Sequence, residues 1–152
     1  MDTVELSWAE VLRACVAAVT SRIRALRKAP APADMEPYSA WDEAVESTCA
    51  EMAVAKSLGV YWAPGRLGWA VRSTWRQGGS LVVRGDDDDA RVYVLAVGTA
   101  PSYRIAGWIR GIDAKMPRFC SNAGYFVPQS ELRPWARRPA FPVDPAVRRM
   151  LG

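Results

Sequence analysis

Glu51 is the acidic residue of this chain with the best position for chemistry, one residue from the apolar stripe of a predicted helix. It lies in AEMAVAKSLG, followed at 63–75 by APGRLGWAVRSTW, whose alternation of apolar and other residues predicts a half-buried strand. The second face of that strand carries Arg72 but no acid. A carboxylate and a base on one strand could hold Mg²⁺ and stabilise charge on a phosphate. The strand therefore has half of what metal-dependent phosphate chemistry needs.

The helix that carries Glu51 offers it no second acid for a shared metal. Glu46 is five residues away, about 140° around the axis, so the two carboxylates diverge. An acid at a helix–sheet boundary is unusual without a partner, and Lys56 or Arg72 could supply one. Structural pairing of Glu51 and a vestigial metal role both stay open.

Two further acidic segments have simpler structural interpretations. The run of aspartates at 86–89 lacks the spacing and final glutamate of an EF-hand loop, so a charged turn is favoured, with a basic protein partner as its second use. In IDAK, Asp113 is predicted to cap a following helical turn. Lys115 remains a candidate phosphate contact.

The basic residues are compatible with phosphate binding but do not require it. The net charge is +4, and the end of the first helix is basic, as is the tail, with Arg133, Arg137, Arg138, Arg148 and Arg149. Solvated surface is the favoured interpretation of so modest a charge. The candidate contacts to nucleic acid or a partner are Arg22, Arg24, Arg27, Lys28, Arg72 and Lys115. Most of the seven tryptophans are expected in the core rather than stacked on bases.

Composition excludes several classes of enzyme. The chain has no histidine, which removes Ser-His and Cys-His catalytic pairs and histidine metal sites. Its three cysteines are far apart, which argues against a zinc site or disulfide framework and favours buried thiols. Only carboxylate–metal or lysine chemistry remains. Without a signal peptide pattern or a membrane-length apolar run, a cytoplasmic protein is expected.

The elements predicted to position these residues give an α+β fold. Apolar residues at steps of three and four predict a helix over 6–28 with a buried stripe of Trp8, Leu12, Cys15, Val19, Ile23 and Leu26. Should the fold leave this stripe uncovered, it could form a homodimer. A second helix is predicted from Ser39, as N-cap, to Leu58, ending at Gly59.

Four strand candidates follow, joined by turn sequences: LGWAVRSTW, SLVVR, ARVYVLAVG and YRIAGWIRG. Short links predict an antiparallel meander against which the helices pack, with VYVLAV central and covered on both faces. YFVP could add a last short strand. The expected organisation is a single domain over 1–152: helix and Pro-rich connection at 1–36, core at 37–132 and Pro/Arg-rich tail at 133–152.

Taken together, WDEAVESTCAEMAVAKSLGVYW, APGRLGWAVRST, VYVLAVGTAPSYRIAGWIRGIDAK and YFVPQSELRP resemble a family of small phage and prophage proteins with a PD-(D/E)XK, restriction-endonuclease-like core. The resemblance runs nearly end to end and rests on the order and spacing of these segments. Glu51 and Lys56 match the family's helix residues. Arg72 matches its strand base. The two remaining acid positions hold Gly65 and Ala70.

The resemblance implies a nuclease scaffold that has lost most of its metal site. In this class the acids hold Mg²⁺, and Glu51 alone would bind it weakly. The implied function is non-catalytic binding to a host protein or protein–nucleic-acid complex, of the anti-CRISPR or anti-restriction type, with no cofactor. Two alternatives stay open: a DNA-binding module, and a Mg²⁺-dependent nuclease that uses Glu51 with Asp113 or the 86–89 run.

Overall fold

The computed structural model describes residues 3–30, 37–65 and 67–141, and they form two long helices, a short third helix and two β-sheets arranged in layers. The first sheet has four strands in the order β1 (Thr3–Glu5), β5 (Ser102–Arg110), β4 (Val92–Thr99) and β2 (Ala70–Thr74). The second has three, β3 (Leu81–Val83), β7 (Gly124–Val127) and β6 (Cys120–Ser121). Helices cover one face of the first sheet, and the second sheet covers the other.

The first helix, α1 (Trp8–Lys28), begins at a capping box. The Ser7 hydroxyl accepts the backbone N–H of Glu10 at 3.1 Å, and the Glu10 carboxylate accepts the backbone N–H of Ser7 at 2.8 Å. Two of the helix's otherwise unpaired N–H donors are thereby satisfied.

The second helix, α2 (Pro37–Leu58), ends as predicted at Gly59, with φ +66. The backbone N–H groups of Gly59 and Val60 bond to the carbonyls of Lys56 and Ala55, the Schellman pattern. The helix begins two residues before the predicted N-cap Ser39, because a proline is well tolerated in the first turn of a helix.

The first sheet is built on β4, which is buried from Val92 to Val97. Its side chains alternate between two cores: Val92, Val94 and Ala96 contribute to the one beneath α2, and Tyr93, Leu95 and Val97 to the one beneath the second sheet. The prediction of a central strand covered on both faces is confirmed.

The predicted four-stranded, mainly antiparallel meander is partly wrong. β4 and β5 are antiparallel neighbours as expected, but β2 pairs parallel with β4, so the sheet is mixed. The SLVVR strand leaves this sheet to pair with β7 in the second one, and the fourth position is taken by the unpredicted β1. A parallel neighbour requires a crossover, and residues 75–91, including β3, supply it. The α+β class is confirmed; the restriction-endonuclease-like core remains a prediction.

The predicted buried stripe of α1 is also wrong. Ala14 and Ala18 are the buried residues of this helix, and small side chains allow α1 to approach α2 closely. Five large apolar side chains on a separate face of the helix are exposed to solvent: Trp8, Leu12, Val16, Val19 and Ile23. The periodicity identified the apolar arc, but the fold covers a different face of the helix, the one that carries the small side chains.

Other expectations from the sequence are settled residue by residue. Trp62, Trp69, Trp108 and Trp135 are buried, so the expectation that most of the tryptophans lie in the core is confirmed, but it is wrong for Trp8 and Trp75, which are exposed. Cys49 is buried but Cys120 is exposed, so the expectation of buried thiols holds only in part. The short helix α3 (Gly111–Ala114) begins at Gly111. Asp113 is therefore not its N-cap, because Arg110 occupies that position.

Among the helices that the structure describes, none combines the length and apolarity needed to cross a membrane. The Pro-rich connection at 31–36 and the tail beyond Phe141, with Arg148 and Arg149, lie outside the described residues. The proposed division into helix, core and tail stays a prediction.

Candidate functional site

A pocket of about 250 Å³ lies where α2 meets the start of β2. Four residues singled out by the sequence line it: Glu51, Gly65, Ala70 and Arg72. The helix contributes Glu51, the loop after α2 contributes Gly65, and β2, the edge strand of the first sheet, contributes the other two. Positions that are up to 21 residues apart in sequence therefore meet in one place.

Glu51 is the carboxylate of this pocket, and its surroundings disfavour its charged form. Desolvation by burial raises the pKa of Glu51, while the backbone N–H of Gly65, the Trp62 indole and the Arg91 charge act in the opposite direction without reversing the shift. Its Oε1 is buried without a hydrogen-bond partner among the described residues, and so is the indole nitrogen of Trp62, which lies close to the carboxylate but outside hydrogen-bond geometry. Both atoms leave hydrogen-bonding capacity unused.

Neither of the two partners expected for Glu51 binds it. Lys56 donates to the Glu10 carboxylate at 2.7 Å and to the backbone carbonyl of Glu5 at 2.8 Å. Arg72 binds Asp87 at 2.9 Å. The structural pairing of Glu51 is therefore not the one that the sequence suggested.

Arg72 extends away from α2, across the face of the sheet that the second sheet covers. Its guanidinium carbon lies 5.4 Å from the Tyr93 ring centroid, and its Nε donates to the carbonyl of Val82 at 3.3 Å. Burial raises the pKa of the Asp87 carboxyl, but the backbone N–H of Arg84 and the Arg72 guanidinium outweigh it, so that this pKa is lowered. Arg72, the basic residue of this strand, thus has Asp87 as its counter-ion within the chain.

The aspartate run at 86–89 forms a turn, as predicted, and it also binds the other candidate phosphate contact. Lys115 lies 2.5 Å from the Asp89 carboxylate and donates to the carbonyl of Gly85 at 3.0 Å. The hydrogen bond with Asp89 is the main cause that raises the pKa of Lys115. Because these contacts use its ammonium donors, Lys115 is less available to a phosphate than its sequence position suggested.

The remaining candidate acids lie elsewhere. Glu46 accepts the Tyr103 hydroxyl at 2.5 Å and the backbone N–H of Ala100 at 3.3 Å, near the β4–β5 turn, so it diverges from Glu51 as predicted. The Asp113 carboxylate binds Arg133 at 3.3 Å. Within 3–30, 37–65 and 67–141, no group of three or more acidic or cysteine side chains is placed to hold a metal ion. The nuclease alternative therefore gains no second acid from Asp113 or the 86–89 run.

The basic end of α1 is separate from the pocket. Arg24, Arg27 and Lys28 are exposed on its last two turns, and Arg22 is half-buried. None of them lines the pocket at Glu51. The sequence candidates thus divide into a pocket group and a distant basic group.

The pocket also contains residues that sequence reasoning passed over. Ser47 lies one helical turn before Glu51, and Arg91, whose Nε donates to the carbonyl of Gly68 at 3.1 Å, reaches it from the end of the acidic turn. Ser47 could have been found from its i, i+4 spacing to Glu51. Nothing in the sequence around Arg91 indicated that it lies at this pocket, because only the crossover between β2 and β4 brings it close to β2.

Chemically, the pocket combines the partly buried carboxylate of Glu51 with the nearby charge of Arg91 and the Ser47 hydroxyl, while the Arg72 guanidinium is turned towards Asp87. Gly65 and Ala70 offer no side-chain oxygen, so among the described residues Glu51 is the sole carboxylate that lines the pocket. Mg²⁺ requires several oxygen ligands, and one carboxylate with water holds it weakly. Comparisons with protein-family models, curated proteins and solved structures found no match for this chain.

Proposed function

We propose that this chain is a catalytically inactive, nuclease-like phage or prophage protein that acts by binding. Its target would be a nucleic-acid-directed defence complex of the bacterial host, of the restriction or CRISPR type. Binding would inhibit that complex in the host cytoplasm without a cofactor. In this proposal Glu51 and Arg72 are remnants of an ancestral site rather than catalytic residues.

The convergence of four of the five matched positions on one pocket supports this proposal. Glu51, Gly65, Ala70 and Arg72 come from a helix, a loop and a strand and line the same pocket, whereas the fifth matched position, Lys56, binds Glu10 instead. Unrelated positions would be expected to scatter over the fold. The pocket holds only one of the carboxylates that phosphate hydrolysis by Mg²⁺ would need.

The first test restores the lost acids with the double variant Gly65→Asp, Ala70→Glu. Gly65 has φ +69, a conformation that aspartate adopts more readily than most residues, and its added Cβ would meet no atom within 4 Å. With Glu51, the variant has three carboxylates at one pocket. We expect Mn²⁺ or Mg²⁺ to raise its melting temperature, because metal that binds only the folded state stabilises it.

The matched control is Gly65→Asn, Ala70→Gln, which adds the same volume without charge. We expect no metal-dependent shift in this control, or in the unchanged chain, and loss of the shift when Glu51→Gln is added to the restored variant. A folded double variant that metals do not stabilise would contradict the assignment of these positions.

The second test addresses inhibition directly. The chain is expressed in bacteria that carry a restriction or CRISPR system, and the plating efficiency of a targeted phage is measured. We expect plating to rise by orders of magnitude, and Glu51→Gln to act equally well because the carboxylate is not used. Absence of protection against every system tried, or metal-dependent DNA cleavage that Glu51→Gln abolishes, would overturn the proposal.

A DNA-binding module is the second candidate, favoured by the three exposed cations at the end of α1. Binding through Arg24, Arg27 and Lys28 would weaken steeply with salt, with a slope of about −0.9 per phosphate contacted. Fluorescence anisotropy with a short duplex measures this slope. Internal ion pairs at Arg72 and Lys115 argue against a larger interface.

A further inference from the structure

The exposed stripe of α1 is an apolar surface that the proposed function does not use. Trp8 is 73% exposed, Leu12 66% and Val16 60%, and Val19 and Ile23 complete the row. On an α-helix these five positions fall within an arc of about 80° and extend over about 22 Å. Patches of several hundred Å² on a monomer are often interaction sites.

The stripe is a second contact surface and not a poorly covered part of the core. The side of α1 that faces α2 is complete, with Ala14 and Ala18 fully buried. The stripe is centred roughly 140° around the helix axis from that side. Within the described residues nothing covers it, and its flanks carry exposed polar side chains such as Thr20 and Arg27. An apolar centre with a polar rim is the usual arrangement of an interface.

We infer that the occupant of this stripe is a second copy of the same chain, with the two α1 helices antiparallel about a two-fold axis near Val16. The spacing of the stripe is nearly symmetric about its centre. An antiparallel copy sets Trp8 beside the partner's Ile23, and Leu12 beside the partner's Val19. The same patch then meets itself, which is the property of a two-fold interface.

Charge selects the antiparallel arrangement. The last two turns of α1 carry Arg24, Arg27 and Lys28, while Glu5 lies just before the helix. A parallel pair would bring the two basic ends together. An antiparallel pair puts each basic end beside the partner's Glu5 and also opposes the two helix dipoles.

The size of the stripe indicates a reversible dimer. Its exposed side chains amount to on the order of 500 Å² per chain, since one aromatic residue alone can bury about 150–250 Å². Stable interfaces bury about 800 Å² per partner, so the polar flanks of α1 must contribute the remaining buried area. We therefore expect a monomer–dimer equilibrium rather than an obligate dimer.

Sedimentation equilibrium from micromolar to near-millimolar protein tests the dimer. We expect concentration-dependent dimerisation, weakened at least tenfold by Leu12→Glu. Leu12 is exposed, so the variant should fold. Ser21→Glu, an equal change of charge on an exposed position off the stripe, should leave the dissociation constant unchanged. A chain that stays monomeric throughout, or equal effects of the two variants, would overturn the inference.

Disulfide trapping tests the orientation. In a background with Cys15→Ser and Cys120→Ser, the variants Leu12→Cys and Val19→Cys are oxidised separately and as a mixture. The antiparallel pairing predicts a cross-linked heterodimer in the mixture and little cross-linking of either variant alone, because a disulfide needs Cα atoms within about 7 Å. Efficient cross-linking of each variant to itself would show a parallel pair and refute this geometry.

Discussion

The guanidinium of Arg72 and the carboxylate of Asp87 lie 2.9 Å apart, so the positive charge of Arg72 on β2 is balanced by an acid of the same chain. The contact joins the edge strand of the first sheet to the turn that follows β3. It therefore links the two sheets on the face where they pack. Arg72 therefore has a structural role, and a phosphate would have to compete with Asp87 to bind its guanidinium.

Asp87→Asn should destabilise the fold in a pH-dependent way. The pKa of Asp87 is lower when folded than its ordinary 3.8, so its contribution is complete above that value and is lost as pH falls through the folded pKa. We expect the variant to lower the free energy of unfolding by about 1 kcal/mol at neutral pH, and the difference to disappear in acid. Urea unfolding across pH measures it. Asp86→Asn, in the same turn, is the control, and equal losses in both would argue against the pair.

Glu51→Gln should stabilise the fold at neutral pH. Burial raises the pKa of Glu51, so folding disfavours its charged form above the folded pKa, and this penalty disappears as pH falls. Because the group is only partly buried, the gain should be about 0.5–1 kcal/mol at pH 7, and near zero in acid.

The contrasting variant on the same helix is Glu46→Gln. Glu46 accepts bonds from Tyr103 and from the backbone of Ala100, so its loss should cost about 1 kcal/mol. Thermal melts of both variants give the comparison. If Glu51→Gln proved as damaging as Glu46→Gln, the carboxylate of Glu51 would have to be stabilised by a partner.

Ala14→Leu should disrupt the contact between the helices. Ala14 is fully buried in the core shared with α2, so a larger side chain must displace its neighbours, at a cost of about 1–3 kcal/mol. Ala9→Leu adds the same volume to an exposed position of α1 and should change stability by less than about 0.5 kcal/mol. Chemical denaturation measures the loss of stability in each variant. Equal losses would contradict the packing of α1 against α2 through Ala14.

Gly107→Ala should loosen the segment that follows the second sheet. Gly107 has φ +153, and an added Cβ would lie 2.5 Å from the carbonyl oxygen of Arg133. That segment is held by paired backbone bonds between Trp108 and Arg133, at 3.1 and 2.9 Å. We expect a loss of about 2 kcal/mol and faster hydrogen exchange at both residues. At Gly78 an added Cβ would meet no atom within 4 Å, so Gly78→Ala should have little effect.

Sequence patterns predicted the elements better than their partners. The unbroken apolar run of β4 indicated a strand covered on both faces, and Gly59 indicated the end of α2, because both are local effects of chain chemistry. The parallel pairing of β2 with β4 left no local trace. The crossover contains turn residues and a short strand that look the same whichever sheet they join.

The candidate site was predictable only in part. Its four matched positions came from a resemblance rather than from spacing, and the structure brings them to one pocket. The partners of its charges were not predictable. Lys56 and Arg72 are near Glu51 in the expected elements, yet each binds an acid from a distant segment. The ion-pair partner of a long lysine or arginine side chain depends on which segments the tertiary fold brings within reach. The periodicity of one helix or strand does not predict this.

The pairing of Thr3 with Arg104 has a consequence for how the chain folds during synthesis. The capping box and close helix contacts allow α1 and α2 to form early. The edge strand β1 cannot pair until β5, about 100 residues later in the chain, has been synthesised. At roughly 5–20 residues per second, the ribosome needs several seconds or more to supply it. Contacts this distant in sequence also slow folding after release. During that interval the helical pair presents to other chains both its exposed stripe and the face that the sheet will later bury.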